Sequence, residues 1–328
     1  MVFDPEVDPL CGVKIRTGGV FTLAQARHAG YSNAEMRRLV RGGVWVMLRR
    51  GVYVEQSVLA VVSLDPQRRH ALRIAALLLV LNRDAVAGGT SAAQILGLQS
   101  LALPTLELVV LTSEPVHNKR RNGYVIRSAA LPAGHRRMRH GVPITSPART
   151  VVDLARLQPL TEAVVVADSA LRQGCVSLDD LRRVLGDCHC WRGIGQAQRA
   201  VGLADPESES VLESVSRVAM HEQGLPAPRT QVLIGDGEAP FARVDFLWPD
   251  VRVIGEADGL GKYESRGRRT TRDIVRAEKR REERLADRGY EIVRWGWEDA
   301  QDAPRLAQRL RAAFSRGAER MRGRIPCC

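Results

Sequence analysis

Three carboxylates in the last third of the chain have the residue types and the spacing that a divalent-metal site needs. Asp245 lies inside the apolar run ARVDFLW, and Glu256 and Asp258 follow the apolar run VIG. Residues two apart on a strand point to the same side of a sheet, so Glu256 and Asp258 are expected to share a face. A carboxylate among apolar neighbours is costly to bury unless it is paired or binds a cation. Oxygen ligands converging from adjacent strands suit Mg²⁺ or Mn²⁺, and the sequence predicts such a site at these three residues.

Two lysines near these carboxylates extend the candidate site. A bound Mg²⁺ can polarise a phosphodiester and generate hydroxide, and a lysine nearby can stabilise the charge that develops. The chain has 49 lysines and arginines but only four of them are lysine, and two of the four are Lys262 and Lys279. Lysine is a compact charge donor that arginine does not replace. The candidate catalytic residues are therefore Asp245, Glu256, Asp258, Lys262 and Lys279.

The elements that must position these residues are those of a small α/β domain. Asp205 and Pro206 predict the start of a helix that runs to Gln223 and carries Glu209 and Glu213 on its polar side. Apolar runs with turn residues between them predict the strands that follow, and a polar segment closed by Gly289 predicts a second helix. The predicted strands are residues 231–234, 242–248, 251–257 and 291–295, and the predicted second helix is residues 274–288.

This order of elements, with the stretches RVDFLWPD, VIGEADGLGKY, AEKRREERL and GYEIVRW, resembles the very-short-patch-repair-like branch of the PD-(D/E)XK nuclease superfamily. The resemblance covers about residues 205–300. It implies a restriction-endonuclease-like α/β domain with a central mixed sheet, in which Asp245 and Glu256 are metal ligands and Asp258 an auxiliary one. The superfamily pattern places a lysine where this chain has Asp258, so Lys262 or Lys279 would be its displaced equivalent. An active metal-dependent nuclease, on DNA or RNA, and an inactive fold kept for binding both remain open.

The N-terminal segment predicts a helix–turn–helix followed by a hairpin. Thr22 is a helix N-cap for residues 23–29, and Ser32 with Glu35 forms a capping box that opens the next helix. Two short strands are predicted over residues 44–48 and 52–54. A helix pair followed by a hairpin is the arrangement of a winged helix-turn-helix, whose second helix enters the major groove of DNA while the hairpin contacts phosphates.

Five arginines occupy the positions that contact DNA in such a domain. Arg37, Arg38 and Arg41 lie within an arc of about 100° on the second helix, opposite its apolar stripe. Arg49 and Arg50 lie at the tip of the hairpin. We therefore expect Arg37, Arg38, Arg41, Arg49 and Arg50 to bind double-stranded DNA.

Residues 15–56 resemble the N-terminal winged-helix domain of the abortive-infection type IV antitoxin family. The middle of the chain, with its stretch TSPARTVVDLA, is similar to the second domain of that family. The resemblance implies operator binding, autoregulation and a cognate toxin-like partner. The basic groups Lys119–Arg121 and Arg136–Arg139 are expected in loops. The predicted domains are a winged helix over 13–56, an α/β middle domain over 66–186, a nuclease-like domain over 205–300 and a basic tail over 301–328.

The composition agrees with a DNA-binding protein of multidomain α/β class. A formal net charge of +12 calls for an anionic partner, and nucleic acid is the commonest one. The longest apolar run is shorter than a membrane span, and no signal peptide is apparent, so we expect a cytoplasmic protein without a membrane partner. Two functions follow: a DNA-binding protein with a metal-dependent nuclease-like domain, or a non-enzymatic antitoxin-like repressor whose nuclease-like domain serves protein interaction.

Overall fold

The computed structural model describes residues 8–81, 84–101, 109–113, 118–121, 123–236, 239–258 and 271–322. It divides into two compact units. The first contains the described residues of Met1–Gln158 and Gly174–Gln198, and the second those of Pro159–Gln173 and Arg199–Cys328. Helices and mixed sheets in both units confirm the multidomain α/β class. None of the described helices is both long and apolar enough to span a membrane.

The chain begins with a winged helix-turn-helix, as predicted. Thr22 and Ser32 each form a complete capping box, with Gln25 and Glu35 respectively, at the two helices of the motif. The three strands pair antiparallel in the order β1-β3-β2, and Gly51 turns the hairpin with φ of +79°. The elements are α1 (Cys11–Thr17), β1 (Val20–Thr22), α2 (Leu23–His28), α3 (Asn33–Arg41), β2 (Trp45–Arg49) and β3 (Val52–Glu55).

Two helices follow and join this motif to the next sheet. They are α4 (Gln56–Ser63) and α5 (Pro66–Leu81), and α4 covers most of the stretch that the sequence marks as a domain boundary. Val58 and Val62 of α4 are buried in one hydrophobic cluster with Val54 of β3 and Leu72 of α5. This shared core explains why the winged helix and the middle sheet fall in one compact unit.

The middle sheet has six strands in the order β6-β7-β5-β4-β9-β8. The pairs β5–β7 and β4–β9 are parallel, and the other neighbours are antiparallel. Its elements are β4 (Ala85–Ala87), α6 (Gly89–Leu96), β5 (Val109–Ser113), β6 (Lys119–Arg121), β7 (Tyr124–Ser128), β8 (Arg136–Arg139) and β9 (Val142–Thr145).

The two basic groups of this region form strands, so the prediction of loops was wrong. Lys119–Arg121 is β6 and Arg136–Arg139 is β8, and these are the two edge strands of the sheet. Charged side chains on an edge strand discourage pairing with another chain. Such a strand lacks the apolar alternation by which strands are recognised in a sequence, and this is why the pattern indicated loops.

Four helices continue the chain: α7 (Pro147–Leu157), α8 (Leu160–Arg172), α9 (Leu178–Asp187) and α10 (Ile194–Leu203). Helix α7 begins where the sequence predicts, because the hydroxyl of Ser146 accepts a hydrogen bond from the Arg149 N–H and Pro147 occupies the first turn. Ser177 caps α9 in the same way and forms a capping box with Asp180.

The second unit contains a four-stranded sheet in the order β10-β11-β12-β13, in which only β12 and β13 are parallel. This mixed sheet is the one that the sequence predicts. Residues predicted as a basic tail form α14, whose apolar side is buried in the core of the unit. The elements are α11 (Val211–Glu222), β10 (Arg229–Asp236), β11 (Ala239–Trp248), β12 (Val253–Ala257), α12 (Thr271–Asp287), β13 (Glu291–Trp295), α13 (Trp297–Gln301) and α14 (Ala303–Arg322).

The start of α11 differs from the prediction. The helix begins after Ser210, whose hydroxyl accepts from the Glu213 N–H at 3.2 Å, and not after Asp205. Asp205 instead closes a turn by accepting from the Glu207 N–H and also binds the hydroxyl of Thr230. An Asp-Pro pair is as suitable for a turn as for a helix start, and the tertiary bond to Thr230 favours the turn.

Gly255 allows the aromatic core of this sheet to close. A Cβ atom at Gly255 would lie 2.5 Å from Cη2 of Trp295 and 3.1 Å from Cζ3 of Trp248. The Trp295 ring stacks on Phe246 with centroids 5.5 Å apart, and its indole N–H donates to Ser216 at 2.7 Å. The strand that carries Glu256 is therefore fixed against a rigid layer of aromatic rings.

Candidate nucleic-acid interface and carboxylate cluster

The second helix of the winged motif presents an exposed arginine surface. Arg37, Arg38 and Arg41 of α3 are all exposed, whereas Met36 of the same helix is buried. Within the described residues none of the three forms a salt bridge, although the Nε of Arg37 donates to the backbone oxygen of Asn33 at 3.2 Å. Their charges are therefore available to an external anion. The three arginines are where the sequence predicts them.

The hairpin carries two further arginines. Arg49 ends β2 and is half-buried, and Arg50 is exposed in the turn. Arg49 lines a cavity against α5 that is distinct from the groove between α2 and α3, where Arg37 and Arg41 lie. We refer to Arg37, Arg38 and Arg41 as the arginine surface, and DNA binding by Arg49 and Arg50 stays a prediction.

A small core holds α3 in place behind the arginine surface. Trp45 packs edge-on against Phe21 at 4.7 Å and against Tyr31 at 5.1 Å, and Met36 lies in the same cluster. A buried ion pair adds to it: Lys14 is 1% exposed and bonds Asp8 at 2.7 Å and Glu55.

The sequence does not indicate the ion pairs of Lys14, because its two partners, Asp8 and Glu55, are far apart along the chain. Burial alone would lower the pKa of Lys14, but the hydrogen bonds that its ammonium donates to Asp8 and Glu55, with the charges of these carboxylates, outweigh burial and raise that pKa. The ammonium therefore stays charged and ties α1 to the end of the hairpin.

In the second unit, three acidic side chains come together, and one of them was not in the predicted set. Asp245 and Glu256 lie on the neighbouring strands β11 and β12, each one residue beyond the paired residues Phe246 and Gly255. Glu213 of α11 joins them through Gln231, whose amide donates to Glu213 at 2.8 Å and to Asp245 at 3.2 Å. We call Glu213, Asp245 and Glu256 the carboxylate cluster.

Glu213 was expected among solvated residues on the polar side of its helix, and that expectation was wrong. Its side chain is 2% exposed. It accepts hydrogen bonds from the Ser210 hydroxyl at 2.8 Å and from the Glu209 N–H at 3.0 Å, both just before the start of α11. The helical period places Glu213 opposite the apolar side of α11, and the tertiary contact with Gln231, which the period cannot show, accompanies its burial there.

Two arginines contact Glu256 of the carboxylate cluster. Arg281 of α12 forms an ion pair with Glu256. Arg294 stands beside Glu256 in the parallel pairing of β12 and β13, and its Nε lies 3.6 Å from Glu256 and 3.7 Å from Asp258. Arg294 also pairs with Glu278 at 2.9 Å and with Glu282 at 2.6 Å. Glu256 thus faces two guanidinium groups at the place where a metal ion would lie.

Burial and these charges act in opposite directions on the cluster. Burial raises the pKa of Glu256, and attraction to Arg281 and Arg294 opposes that rise without cancelling it. Burial likewise raises the pKa of Glu213; the hydrogen bond from Glu209 opposes the rise, and the nearby charge of Asp245 adds to it. The Arg281 pKa is raised, since Glu256 and Glu278 outweigh the effect of burial.

The arrangement of the described residues does not fit a divalent cation. Asp245 is half-buried, and its two oxygens are engaged by the Ala257 N–H at 2.9 Å and by Gln231. Glu256 is engaged by Arg281, and a guanidinium beside the cluster would repel a metal ion. No group of three His, Cys, Asp or Glu side chains in the described part of the chain is placed to hold a metal. Mg²⁺ or Mn²⁺ at Asp245, Glu256 and Asp258 stays a prediction.

Lys279, one of the two lysines of the predicted site, does not join the carboxylate cluster. Lys279 lies on α12 with its side chain 76% exposed, 4.0 Å from Glu283. Asp258 is exposed and contacts Arg294. Lys262 lies outside the described residues. The functional residues that sequence reasoning missed are Glu213, Arg281 and Arg294, and the partial signal for them was the density of charge in AEKRREERL and GYEIVRW.

Comparisons with known proteins bear on two segments within residues 15–205. Residues 15–56 match the family model described as a transcriptional regulator, AbiEi antitoxin, and residues 85–205 match the one described as the AbiEi antitoxin C-terminal domain. Neither match reaches residues 206–328, so the resemblance of that region to a nuclease branch stays a prediction.

Two curated proteins of Mycobacterium tuberculosis are similar to this chain. They are the uncharacterized protein MT2308 of strain CDC 1551 / Oshkosh and the uncharacterized protein Rv2248 of strain ATCC 25618 / H37Rv. Each is 32% identical over 167 residues, which is 51% of this chain, and the match spans only 59% of the relative's length. By these matches, residues 15–56 and residues 85–205 are each similar to a domain of AbiEi antitoxins.

Proposed function

We propose that this protein is a DNA-binding transcriptional regulator of the antitoxin type, which represses by occupying operator DNA. The observation that carries the proposal is the arginine surface: three exposed arginines on the second helix of a winged motif, without salt bridges among the described residues. In a protein of net charge +12, these charges attract the phosphates of duplex DNA, and the helix fits the major groove. The similarity to transcriptional regulators of the AbiEi group supports the same function.

In this proposal the second unit is not catalytic. Arg281 and Arg294 neutralise Glu256, the residue on which metal-assisted hydrolysis would depend. Its surface would then serve to bind a protein, such as a cognate toxin-like partner. The location of the protein in the cytoplasm is part of the same proposal.

The proposal is tested by measuring the affinity for duplex DNA from the promoter region of the protein's own gene across a range of salt concentrations. The double variant Arg38→Ala/Arg41→Ala removes two phosphate-facing charges. We expect its affinity to fall at least tenfold at low salt, and the slope of log affinity against log salt to flatten by about two.

The matched control is Arg182→Ala/Arg183→Ala on α9, which also removes two exposed arginines, each already paired with an aspartate on its own helix. We expect this control to keep wild-type affinity and slope. Equal losses in the two double variants would mean that net charge and not the arginine surface binds DNA, and would contradict the proposal.

The competing function is a metal-dependent nuclease, favoured by the proximity of Glu213, Asp245 and Glu256 around Gln231. Incubation of the same preparation with supercoiled DNA and Mg²⁺ or Mn²⁺ separates the two functions. Cleavage that Glu256→Gln abolishes would establish the nuclease, whereas DNA binding without cleavage is the result expected for the regulator.

A further inference from the structure

The first unit contains a basic cavity away from the winged helix, with a volume of about 650 Å³. One side is formed by the middle sheet and the start of α6, and the opposite side by the end of α7 and the loop before α10. Among the described residues, four arginines line the cavity, together with Trp191 and one acidic residue, Asp153. The arginines are Arg120, Arg127, Arg156 and Arg192.

The charges of this cavity are far from balanced. Asp153 is the acidic residue in the wall, and it is already shared by two guanidinium groups: Nε of Arg149 at 2.8 Å and Nη1 of Arg156 at 3.1 Å. Among the described residues, Arg127 and Arg192 have no acidic side chain bound to them. Low-dielectric walls focus the potential of such a concave cluster, which favours an anion with more than one charge.

A buried arginine, Arg149, packs against Trp191, a residue of the cavity wall. Arg149 is 0% exposed, its guanidinium carbon lies 4.3 Å from the Trp191 ring centre, and that of Arg156 lies 4.7 Å from the same ring. Nη1 of Arg149 donates to the Ala130 oxygen at 2.9 Å, while Nη2 has no acceptor among the described residues. A buried guanidinium with an unsatisfied donor is costly, and an anion in the adjacent cavity would offset part of that cost.

The backbone at the start of α6 adds a second feature suited to an anion. Gly89 is the first residue of α6 and lines the cavity, and the N-cap residue Gly88 has no side chain to accept the N–H groups of the first turn. A Cβ atom at Gly88 would lie 2.1 Å from Oγ1 of Thr112, so only glycine allows the helix to start this close to the cavity wall. Free N–H groups at a helix start favour phosphate.

We propose that this cavity binds a small ligand carrying two or more phosphate groups, held by Arg127, Arg156 and Arg192 at the N-terminal end of α6. The volume lies in the range typical of sites for small molecules. Arginine presents paired donors that match the oxygens of a phosphate group. A DNA backbone does not need a concave site of this kind, because its phosphates are reached from an open surface. The proposal goes beyond DNA binding, since none of its residues belongs to the arginine surface.

The test uses the full-length protein and inorganic pyrophosphate as the probe, in isothermal titration at constant ionic strength. We expect a dissociation constant below 1 mM, which is of the order of 4 kcal/mol or more of binding free energy. Arg127→Ala and Arg192→Ala should each weaken binding at least fivefold. Arg182→Ala, which removes an exposed arginine outside the cavity, should leave the pyrophosphate affinity unchanged.

Two further outcomes would overturn the proposal. The first is a pyrophosphate affinity no greater than that for sulfate, or one lowered equally by Arg182→Ala, because either result would indicate non-specific charge attraction. The second is that Arg127→Ala weakens duplex DNA binding as strongly as Arg38→Ala/Arg41→Ala while pyrophosphate does not bind, because the cavity would then belong to a DNA interface. Failure of DNA binding with intact pyrophosphate binding would contradict only the proposed regulator.

Discussion

A metal site and an ion-pair site predict opposite effects on protein stability when the charge of Glu256 is removed. A carboxylate that waits for a cation is repelled by its acidic neighbours, and removing it relieves that repulsion. Glu256 instead pairs with Arg281 and lies near Arg294, while its own side chain is 8% exposed. Removing one partner of a buried pair leaves the other charge uncompensated. Stability measurements on single variants therefore distinguish the two states of the site.

We expect Glu256→Gln to destabilise the protein by about 2 kcal/mol, less than the loss of an isolated buried pair, because Arg281 is partly exposed and keeps its ion pair with Glu278 at 2.8 Å. Arg281→Ala should destabilise it by a similar amount. Urea unfolding at pH 7, followed by tryptophan fluorescence, measures both changes. Glu283→Gln is the control, because Glu283 is exposed and its contact with Lys279 is 4.0 Å long, so a change within about 0.5 kcal/mol is expected.

A metal site at the carboxylate cluster would give the opposite changes in stability. If Glu256→Gln raised the melting temperature of the metal-free protein, and if millimolar Mg²⁺ stabilised the wild type but not this variant, the cluster would be a metal site. The arginine pairing would then describe only the metal-free state.

At the scale of elements, the sequence predicts well whatever depends on local chemistry. The capping boxes at Thr22 and Ser32 and the strand at Glu291–Trp295 lie where the patterns indicate, since each is determined by a few consecutive residues. The predictions fail where a contact between residues far apart in the sequence determines the local structure. The strand nature of β6 and β8 depends on their partners β7 and β9, and Arg281 reaches Glu256 from a helix whose pattern shows only high polarity. The spacing of residues along the chain does not show which side chains lie close together in the folded protein.

His70 provides an element-scale prediction, because it connects two helices and a strand. Its Nε2 lies 2.9 Å from the hydroxyl of Ser91 on α6, and that hydroxyl accepts from the Val110 N–H of β5 at 2.8 Å. The hydroxyl therefore has its proton free to donate to a neutral imidazole ring. Burial, together with a smaller effect of the charge of Arg73, lowers the pKa of His70 from 6.5 to about 4.

A histidine whose pKa is lower in the folded state than in the unfolded state stabilises the fold above the unfolded value. That stability is lost as the pH falls from about 6.5 towards about 4. Between pH 7 and pH 5 the loss due to His70 is roughly 2 kcal/mol. We expect His70→Gln to be less stable than the wild type at pH 7 and to lose about that much less on acidification, as measured by urea unfolding at both values. His28→Gln, at an exposed position, is the control, and an unchanged pH dependence in His70→Gln would refute the linkage.

At the scale of the whole molecule, the distribution of charge between the two units agrees with their proposed functions, anion binding by the first unit and protein binding by the second. The arginine surface and the basic cavity lie in the first unit, where the described arginines exceed the acids that could pair with them. In the second unit, arginines of α12 and β13 contact Glu256, whereas Asp245 and Glu213 are engaged by backbone, hydroxyl and amide hydrogen bonds. The spacing of these acids in the sequence does not indicate which group engages each carboxylate.

DNA binding should consequently be independent of divalent cations. The arginine surface neutralises phosphates directly, and Glu256 of the carboxylate cluster is contacted by Arg281 and Arg294. We expect EDTA to leave both the affinity for promoter DNA and its salt slope unchanged at fixed ionic strength, and the unfolding midpoint to stay within the error of the measurement. A tenfold or greater loss of affinity in EDTA, restored by Mg²⁺ and absent in Glu256→Gln, would show that the second unit binds metal and acts on DNA together with the first. A repressor that binds DNA through the arginine surface should bind equally well with and without divalent cations. The variant Arg38→Ala/Arg41→Ala should weaken that binding in both conditions.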